Sequence, residues 1–443
     1  MTKLKEPGEA IQYCNGIVSW IGNTPLKNHF PLLDSLRFGA AFGVALFHQM
    51  FWSWAWVSIG HPGFERTVAA DVQYPSAAPY TWFGWVGVEI FFVISGFVIA
   101  NSASKSSPTE FLLGRAFRLY PAVWVCATAT LIVLLLFGSG PASEFILPYI
   151  HAMLLVPEGV TKQSLDVVYW TLAAEMTFYV VVFCAMLTKR ITLRRLAFGL
   201  TVWSAAFNAV ALLVLFCTTP VNLPTVSPAN VPYLAILMFR VPCAAFLLNH
   251  GCFFALGIWL FISANRQLTA LERVAVAVTC LSGAAEIYFF ASFFLTCIPA
   301  ISGQSAFVPI VVWAAAVGLI ADGANRNRRP AAAASREAPA YLRTLGLITY
   351  PLYLTHNVIG AEIIHALINA GLNATAAVWV ALAMLVLVCW FICATIEPAI
   401  RGAMTKAISY FGLLPERMPG SRRTLFSRGL GLPPVPAKMT ATW

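Results

Sequence analysis

His48, Glu89, Glu175 and His356 are titratable side chains set inside stretches of sequence that are otherwise apolar. In such a setting an ionisable group costs several kcal/mol unless it is paired or hydrated, so each is a functional candidate by default. Two imidazoles and two carboxylates can together accept a proton, orient a base and compensate one another, which is the equipment of general acid–base or proton-relay chemistry. Arg37 lies eleven residues before His48 in the same stretch. At about 100° per residue the two share a helix face and lie about 16 Å apart along its axis. Arg37 therefore falls near one membrane face and His48 well inside.

Counting inward from the outer end of each apolar run, His48 lies nine residues from Val57 and Glu89 eight from Thr81. Glu175 lies eight from Val167 and His356 twelve from Ile368, depths of roughly 12 to 18 Å that predict one common level. The plainer reading of each residue is a polar side chain bonded to a neighbouring helix. For His48, which shares a stripe with Arg37 and a level with the others, function is the favoured reading. His250 and His365 read as packing or interface residues, and Glu286 and Glu362 have no assigned role.

Arg115 and Arg118 are one helical turn apart at the predicted start of an apolar run, next to Pro121, which a first turn tolerates. Arginines at an inner membrane edge commonly anchor topology. Two guanidiniums at i and i+3 beside a helix N-terminus would equally suit a phosphate. Ser95 and Gly96 read as a place of close helix contact rather than a nucleophile. Elbow, phosphate-loop and metalloprotease motifs are missing, as are the Cys and His spacings of zinc sites, so no metal is expected. Eight of the ten cysteines fall within or at the edge of apolar segments and read as small core residues.

The elements that must hold these residues follow from composition. Of the 443 residues, 59% are hydrophobic and 10% charged, against about 25% charged in a soluble domain. A soluble exterior cannot be covered by so few charges, and the apolar runs reach the length of about 20 residues that a spanning helix needs. The expected fold is all-α: a polytopic membrane helix bundle of about ten transmembrane helices with cytoplasmic N and C termini. The runs are Leu32 to Val57, Thr81 to Ala103, Phe117 to Phe137, Val167 to Leu187, Leu196 to Cys217, Val241 to Ile262, Val274 to Leu295, Ser305 to Ala321, Gly346 to Ile368 and Ala374 to Ile396. Phe145 to Val156 is too short to cross and is expected at the interface.

With this count and an inside N-terminus, 25 of the 28 basic residues fall on the inner side, leaving Arg66, Lys162 and Arg240 outside. One miscounted span would reverse every later loop, so the asymmetry supports both number and orientation. It also accounts for the net charge of +10 without nucleic acid. Residues 1–31 are expected as a cytoplasmic segment, 32–396 as the membrane domain and 397–443 as a basic cytoplasmic tail, mostly disordered after Arg401. Asn325 to Pro339 reads as a flexible linker. No cleavable signal peptide is expected ahead of the first run.

The same residues carry a family resemblance. The run Leu33-Asp34-Ser35-Leu36-Arg37 through Leu46-Phe47-His48 resembles the leading motif of the acyltransferase-3 group of integral membrane acyltransferases, which O-acylate bacterial surface glycans and related acceptors. Gly87-Val88-Glu89-Ile90-Phe91-Phe92-Val93-Ile94-Ser95-Gly96-Phe97 is similar to its second motif, and Arg115-Ala116-Phe117-Arg118 with Pro121 to its Arg-x-x-Arg motif. Trp170 to Glu175 with Phe178-Tyr179, and Tyr350 to His356, resemble two later ones, all in the family's order. Glu89 stands where the family often has Asp, Ser35 where it often has Gly, and Met176 where a second acidic residue often follows.

The resemblance implies an inner-membrane enzyme that uses acyl-CoA, usually acetyl-CoA, as co-substrate rather than a bound cofactor. The acceptor would be a hydroxyl of a surface or lipid-linked glycan. It implies Arg115 and Arg118 at the CoA phosphates, Arg37 guiding the donor, and His48 as general base or transient acyl carrier, with Glu89 or Glu175 fixing its tautomer. Longer members carry a periplasmic esterase-like domain that has no room here, so the chain is expected to work alone or to hand its acyl group to a partner. A proton-coupled transporter is the rival reading and would call for broken helices in matching repeat halves, which the sequence does not show. A non-catalytic scaffold for polysaccharide assembly is the third.

Overall fold

A computed structural model of the chain describes residues 31–55, 72–138, 140–156, 164–218, 247–326 and 340–410. Every element among the described residues is helical. The helices longer than ten residues are α1 (Pro31–Phe47), α2 (Gly87–Ala103), α3 (Pro108–Phe137), α4 (Ser143–Leu154), α5 (Trp170–Thr188), α6 (Leu193–Thr218) and α7 (Gly251–Asn265). They continue with α8 (Ala270–Cys297), α9 (Phe307–Arg326), α10 (Ala340–Thr355), α11 (Val358–Asn369), α12 (Ala374–Phe391) and α13 (Glu397–Tyr410). Six helical stretches are long and apolar enough to cross a membrane, and Gly251–Asn265 and Val358–Asn369 are shorter apolar helices. The protein is a polytopic helical bundle. Each predicted run contains a helix, though the sixth begins outside the described residues.

Three departures from the sequence pattern shape the site. First, α3 starts at Pro108, nine residues before the apolar run, because Ser107 and Glu110 form a capping box that launches the helix early. Arg115 and Arg118 thus lie in its second and third turns, beyond reach of its N-terminal N–H groups, and Pro121 lies in its interior. Second, the ninth run is not one helix: α10 stops at Thr355 and α11 starts at Val358, with His356 and Asn357 between them. Third, α12 passes through a π turn at Ile392–Ile396 into α13, so the chain stays helical to Tyr410, well past Arg401. Residues 411–443 of the predicted tail and 327–339 of the predicted linker lie outside the described residues.

Small residues set the central packing. A Cβ on Gly96 of α2 would lie 2.2 Å from the Phe254 carbonyl oxygen, and one on Gly257 of α7 would lie 2.2 Å from that of Val93. The two backbones therefore touch at Gly96 and Gly257, as small residues at a membrane helix crossing allow. At the start of α2, a Cβ on Gly87 would lie 2.6 Å from the Ala40 carbonyl oxygen of α1. α10 packs along α1, which brings His356 to His48. Outward faces stay apolar, with Ile132, Leu136 and Phe137 exposed on α3 and Leu387, Trp390 and Phe391 on α12, as contact with lipid requires.

Candidate active site

His48 opens a π turn, His48–Trp52, at the end of α1. Such bulges redirect side chains and recur at functional sites. Its Nδ1 lies 3.0 Å from the Val44 carbonyl oxygen and 3.1 Å from Nε2 of His356. The His356 ring is fully buried, and its Nδ1 lies 2.8 Å from the Tyr353 carbonyl oxygen. The proton positions follow from these partners. A carbonyl only accepts, so His356 carries its proton on Nδ1 and presents a lone pair at Nε2. His48 must then be the donor, with its proton on Nδ1 shared between Val44 and His356. That leaves Nε2 of His48 as a bare lone pair, and no described residue hydrogen-bonds it.

The helix break holds this pair in place. Gln49, the next residue on α1, donates through Nε2 to the carbonyl oxygens of His356 and, at 3.2 Å, Asn357. Asp166, 2% exposed, accepts from Asn357 Nδ2 at 2.7 Å and from the N–H groups of Val358 and Val168, each at 3.2 Å. Burial pushes the Asp166 carboxyl above its ordinary range, and the hydrogen bonds from Asn357, Val168 and Val358 oppose that shift. The break thus exposes backbone groups that two side chains from other elements satisfy.

Glu175 belongs to a second group. Its Oε1 accepts from Ser95 Oγ at 2.9 Å and from Tyr179 OH at 2.5 Å. Ser95 is therefore a hydrogen-bond donor beside the Gly96 contact. Arg37 lies within electrostatic range of Glu175, Tyr179, Asp34 and Arg118, and Tyr179 within range of Arg115. Arg115 Nη2 donates to Ser102 Oγ at 3.4 Å, and its guanidinium sits 5.9 Å from the Phe111 ring centre. Arg401, paired with Glu397, adds a further guanidinium near Arg118. Among the described residues no carboxylate forms a salt bridge with Arg115 or Arg118.

Glu89 belongs to a third. It meets His250, from the turn ahead of α7, and Glu286 of α8, with ligand atoms of all three within 4.8 Å of one another. Glu286 and His250, read from sequence as unassigned and as packing, are thus partners of a motif residue.

The common level predicted for the four titratable residues therefore divides in three. Glu89 and Ser95 are six residues apart on one helix, about 9 Å along its axis, so Glu89 and the Ser95 partner Glu175 are at different depths. Counting residues from run ends missed this because Glu175 reaches toward its inner neighbours. Neither carboxylate fixes the His48 tautomer; Val44 and His356 do. Gln49, Asn357 and Asp166 escaped notice for a physical reason. The first two are uncharged amides within apolar runs, and Asp166 falls one residue before its run begins.

The profile of the acyltransferase domain family matches residues 30–395. The chain belongs to that family. It is 31% identical over 173 residues to nodulation protein 10 of Rhizobium leguminosarum bv. viciae, covering 34% of this chain and 42% of that protein. It is 34% identical over 105 residues to the exopolysaccharide production protein ExoZ of Rhizobium meliloti (strain 1021), covering 22% of this chain and 33% of that protein. The chain thus spans less than half the length of either curated relative in these matches. No solved structure matches significantly.

Proposed function

We propose that the protein is a bacterial inner-membrane O-acyltransferase that moves an acyl group, acetyl in the simplest case, from acyl-CoA to a hydroxyl of a surface or lipid-linked glycan. The observation that carries the reading is the unengaged lone pair on His48 Nε2, fixed by a chain of hydrogen bonds through His356. Family membership supplies the acyl chemistry, and the exopolysaccharide function in the name of one relative favours a glycan acceptor.

In this scheme His48 Nε2 takes the proton of the acceptor hydroxyl while the oxygen attacks the thioester carbonyl. The tetrahedral intermediate collapses by breaking the C–S bond, and the imidazolium returns its proton to the CoA thiolate, giving ester and free thiol. His356 accepts from the Nδ1–H throughout and steadies the charged ring. Arg115 and Arg118 meet the CoA phosphates from the side of the helix, as guanidinium forks without help from its N-terminus. Arg37, steered by Glu175 and Asp34, lies between them and the reacting carbon, and the roughly 16 Å from Arg37 to His48 suits an extended pantetheine arm. Glu89 serves its own cluster.

The break at His356 and Asn357 is a feature a transporter would share. Its carbonyls already accept from Gln49, which leaves little for a passing ion to coordinate. The test is purified protein in lipid with labelled acetyl-CoA and glycan acceptors. Transfer that needs His48 supports the proposal; transfer undiminished in His48→Ala, or solute flux with no acyl-CoA binding, overturns it. Label retained on the protein without acceptor would mark His48 as an acyl carrier rather than a base.

A further inference from the structure

Glu89, His250 and Glu286 are 3%, 2% and 0% exposed. Their polar ends come within 4.8 Å of one another, yet among the described residues Glu89 Oε2, both carboxylate oxygens of Glu286 and His250 Nδ1 have no hydrogen-bond partner. His250 Nδ1 lies 3.3 Å from Glu286 Oε1. Aromatic rings close the surroundings, with Phe92 and Trp170 5.4 and 5.3 Å from the imidazole. Three residues with unpartnered polar atoms, gathered so that one ligand atom of each lies within 4.8 Å of the others in a medium of low dielectric, are met together by a shared positive centre.

We infer that Glu89, His250 and Glu286 form a binding site for a divalent transition-metal cation. The donor set is one imidazole nitrogen and two carboxylates, a combination that suits Zn²⁺ or Mn²⁺ and, with its nitrogen, disfavours Ca²⁺ and Mg²⁺. Two carboxylate charges balance a dication, so the occupied site is neutral within the bundle. A proton shared between the carboxylates would satisfy only part of the set, whereas a cation meets all three residues at once. Asn249 completes the arrangement. Its amide lies 2.9 Å from His250 Nε2, and its Oδ1 has no partner among the described residues. Turned over, the amide accepts the Nε2–H and frees Nδ1 as the ligand atom, the outer contact that metal-bound histidines regularly make. The ion would tie α2 and α8 to the turn ahead of α7, about two helical turns from the Gly96–Gly257 contact.

The sequence gives no local cue for this site, because its ligands come from three separate segments rather than one spaced motif. The test is elemental analysis of the full-length protein, purified in detergent and desalted after incubation with Zn²⁺ or Mn²⁺. About one equivalent per chain is expected, falling at least about fivefold in Glu286→Gln and in His250→Gln. Should either variant fail to fold, the wild-type protein decides. Chelation should lower its unfolding temperature and the same ion should restore it. Less than about a tenth of an equivalent in the wild type after exposure to both ions overturns the inference, as does equal content in Glu286→Gln. The carboxylates then share protons instead.

Discussion

The His48–His356 pair and the Glu89–His250–Glu286 cluster both place imidazoles between helices, and they handle lone pairs in opposite ways. At His48 three ring nitrogens are engaged and one is left open. At His250 two carboxylates bring unpartnered oxygens together around a single ring nitrogen. The first arrangement defines a direction for proton transfer, since only one atom can accept. The second defines a place for a charge to sit. The proposed base and the proposed cation site are thus built from the same residue types, and the hydrogen-bond partners, not the types, distinguish them.

The comparison breaks most directly at His48. His48→Ala removes the open lone pair and should lower the rate of acyl transfer by about 10²- to 10⁴-fold, measured with labelled acetyl-CoA at saturating acceptor. Glu286→Gln, in the other cluster, should leave that rate per folded molecule within about threefold, since it touches no reacting group. Equal losses in the two variants would mean that the clusters act as one unit.

Removal of the partner should cost less. His356→Ala leaves the Nδ1–H of His48 with Val44 as its one acceptor, which keeps the tautomer but deprives the imidazolium of the second acceptor that steadies it. A fall in kcat of about 10- to 100-fold with little change in KM is expected. His356→Gln can still present an acceptor to Nδ1–H and should recover part of it. If Gln does no better than Ala, the ring serves packing alone.

Much of this contrast was legible in the sequence, but not the part that separates the two sites. The charge-poor composition and the long apolar runs define a helical bundle, and His48 and Arg37 are marked by sharing a stripe. The depth count fails for Glu89 and Glu175, because a side chain several ångströms long can bond well above or below its own Cα. The helix break at His356 is invisible to hydropathy, since both halves are apolar and the groups that satisfy it, Gln49 and Asp166, come from distant segments. Residues that look equivalent one helix at a time acquire distinct roles only through partners on other helices.

Arg118 tests the other end of the proposed reaction path. Its guanidinium has no carboxylate within salt-bridge distance among the described residues, so Arg118→Ala should weaken acyl-CoA without disturbing the histidine pair. A rise in the KM for acyl-CoA of about tenfold with kcat nearly constant is expected, about what one charge-assisted hydrogen bond contributes. Arg118→Lys should recover only part, because an ammonium cannot offer a forked pair of donors to a phosphate. An unchanged KM would assign the arginine to membrane topology.

The smallest effect, and the one that bears on how the base is held, belongs to Asp166. Its carboxylate accepts from a side-chain amide and two backbone N–H groups. Asp166→Asn keeps the size but turns one of those acceptors into a donor, leaving an N–H facing an N–H. Such a mismatch costs about 1 to 3 kcal/mol locally, enough to loosen the turn at His356 and Asn357 without unfolding the bundle. Because His48 itself is untouched, the expected result is a loss in kcat of only about three- to tenfold with an unchanged KM. Faster hydrogen exchange at the Val358 amide should accompany it. Slower catalysis without faster exchange would mean that Asp166 acts on the reaction by some route other than the helix break; faster exchange at full activity would show that the His48 base tolerates a mobile partner.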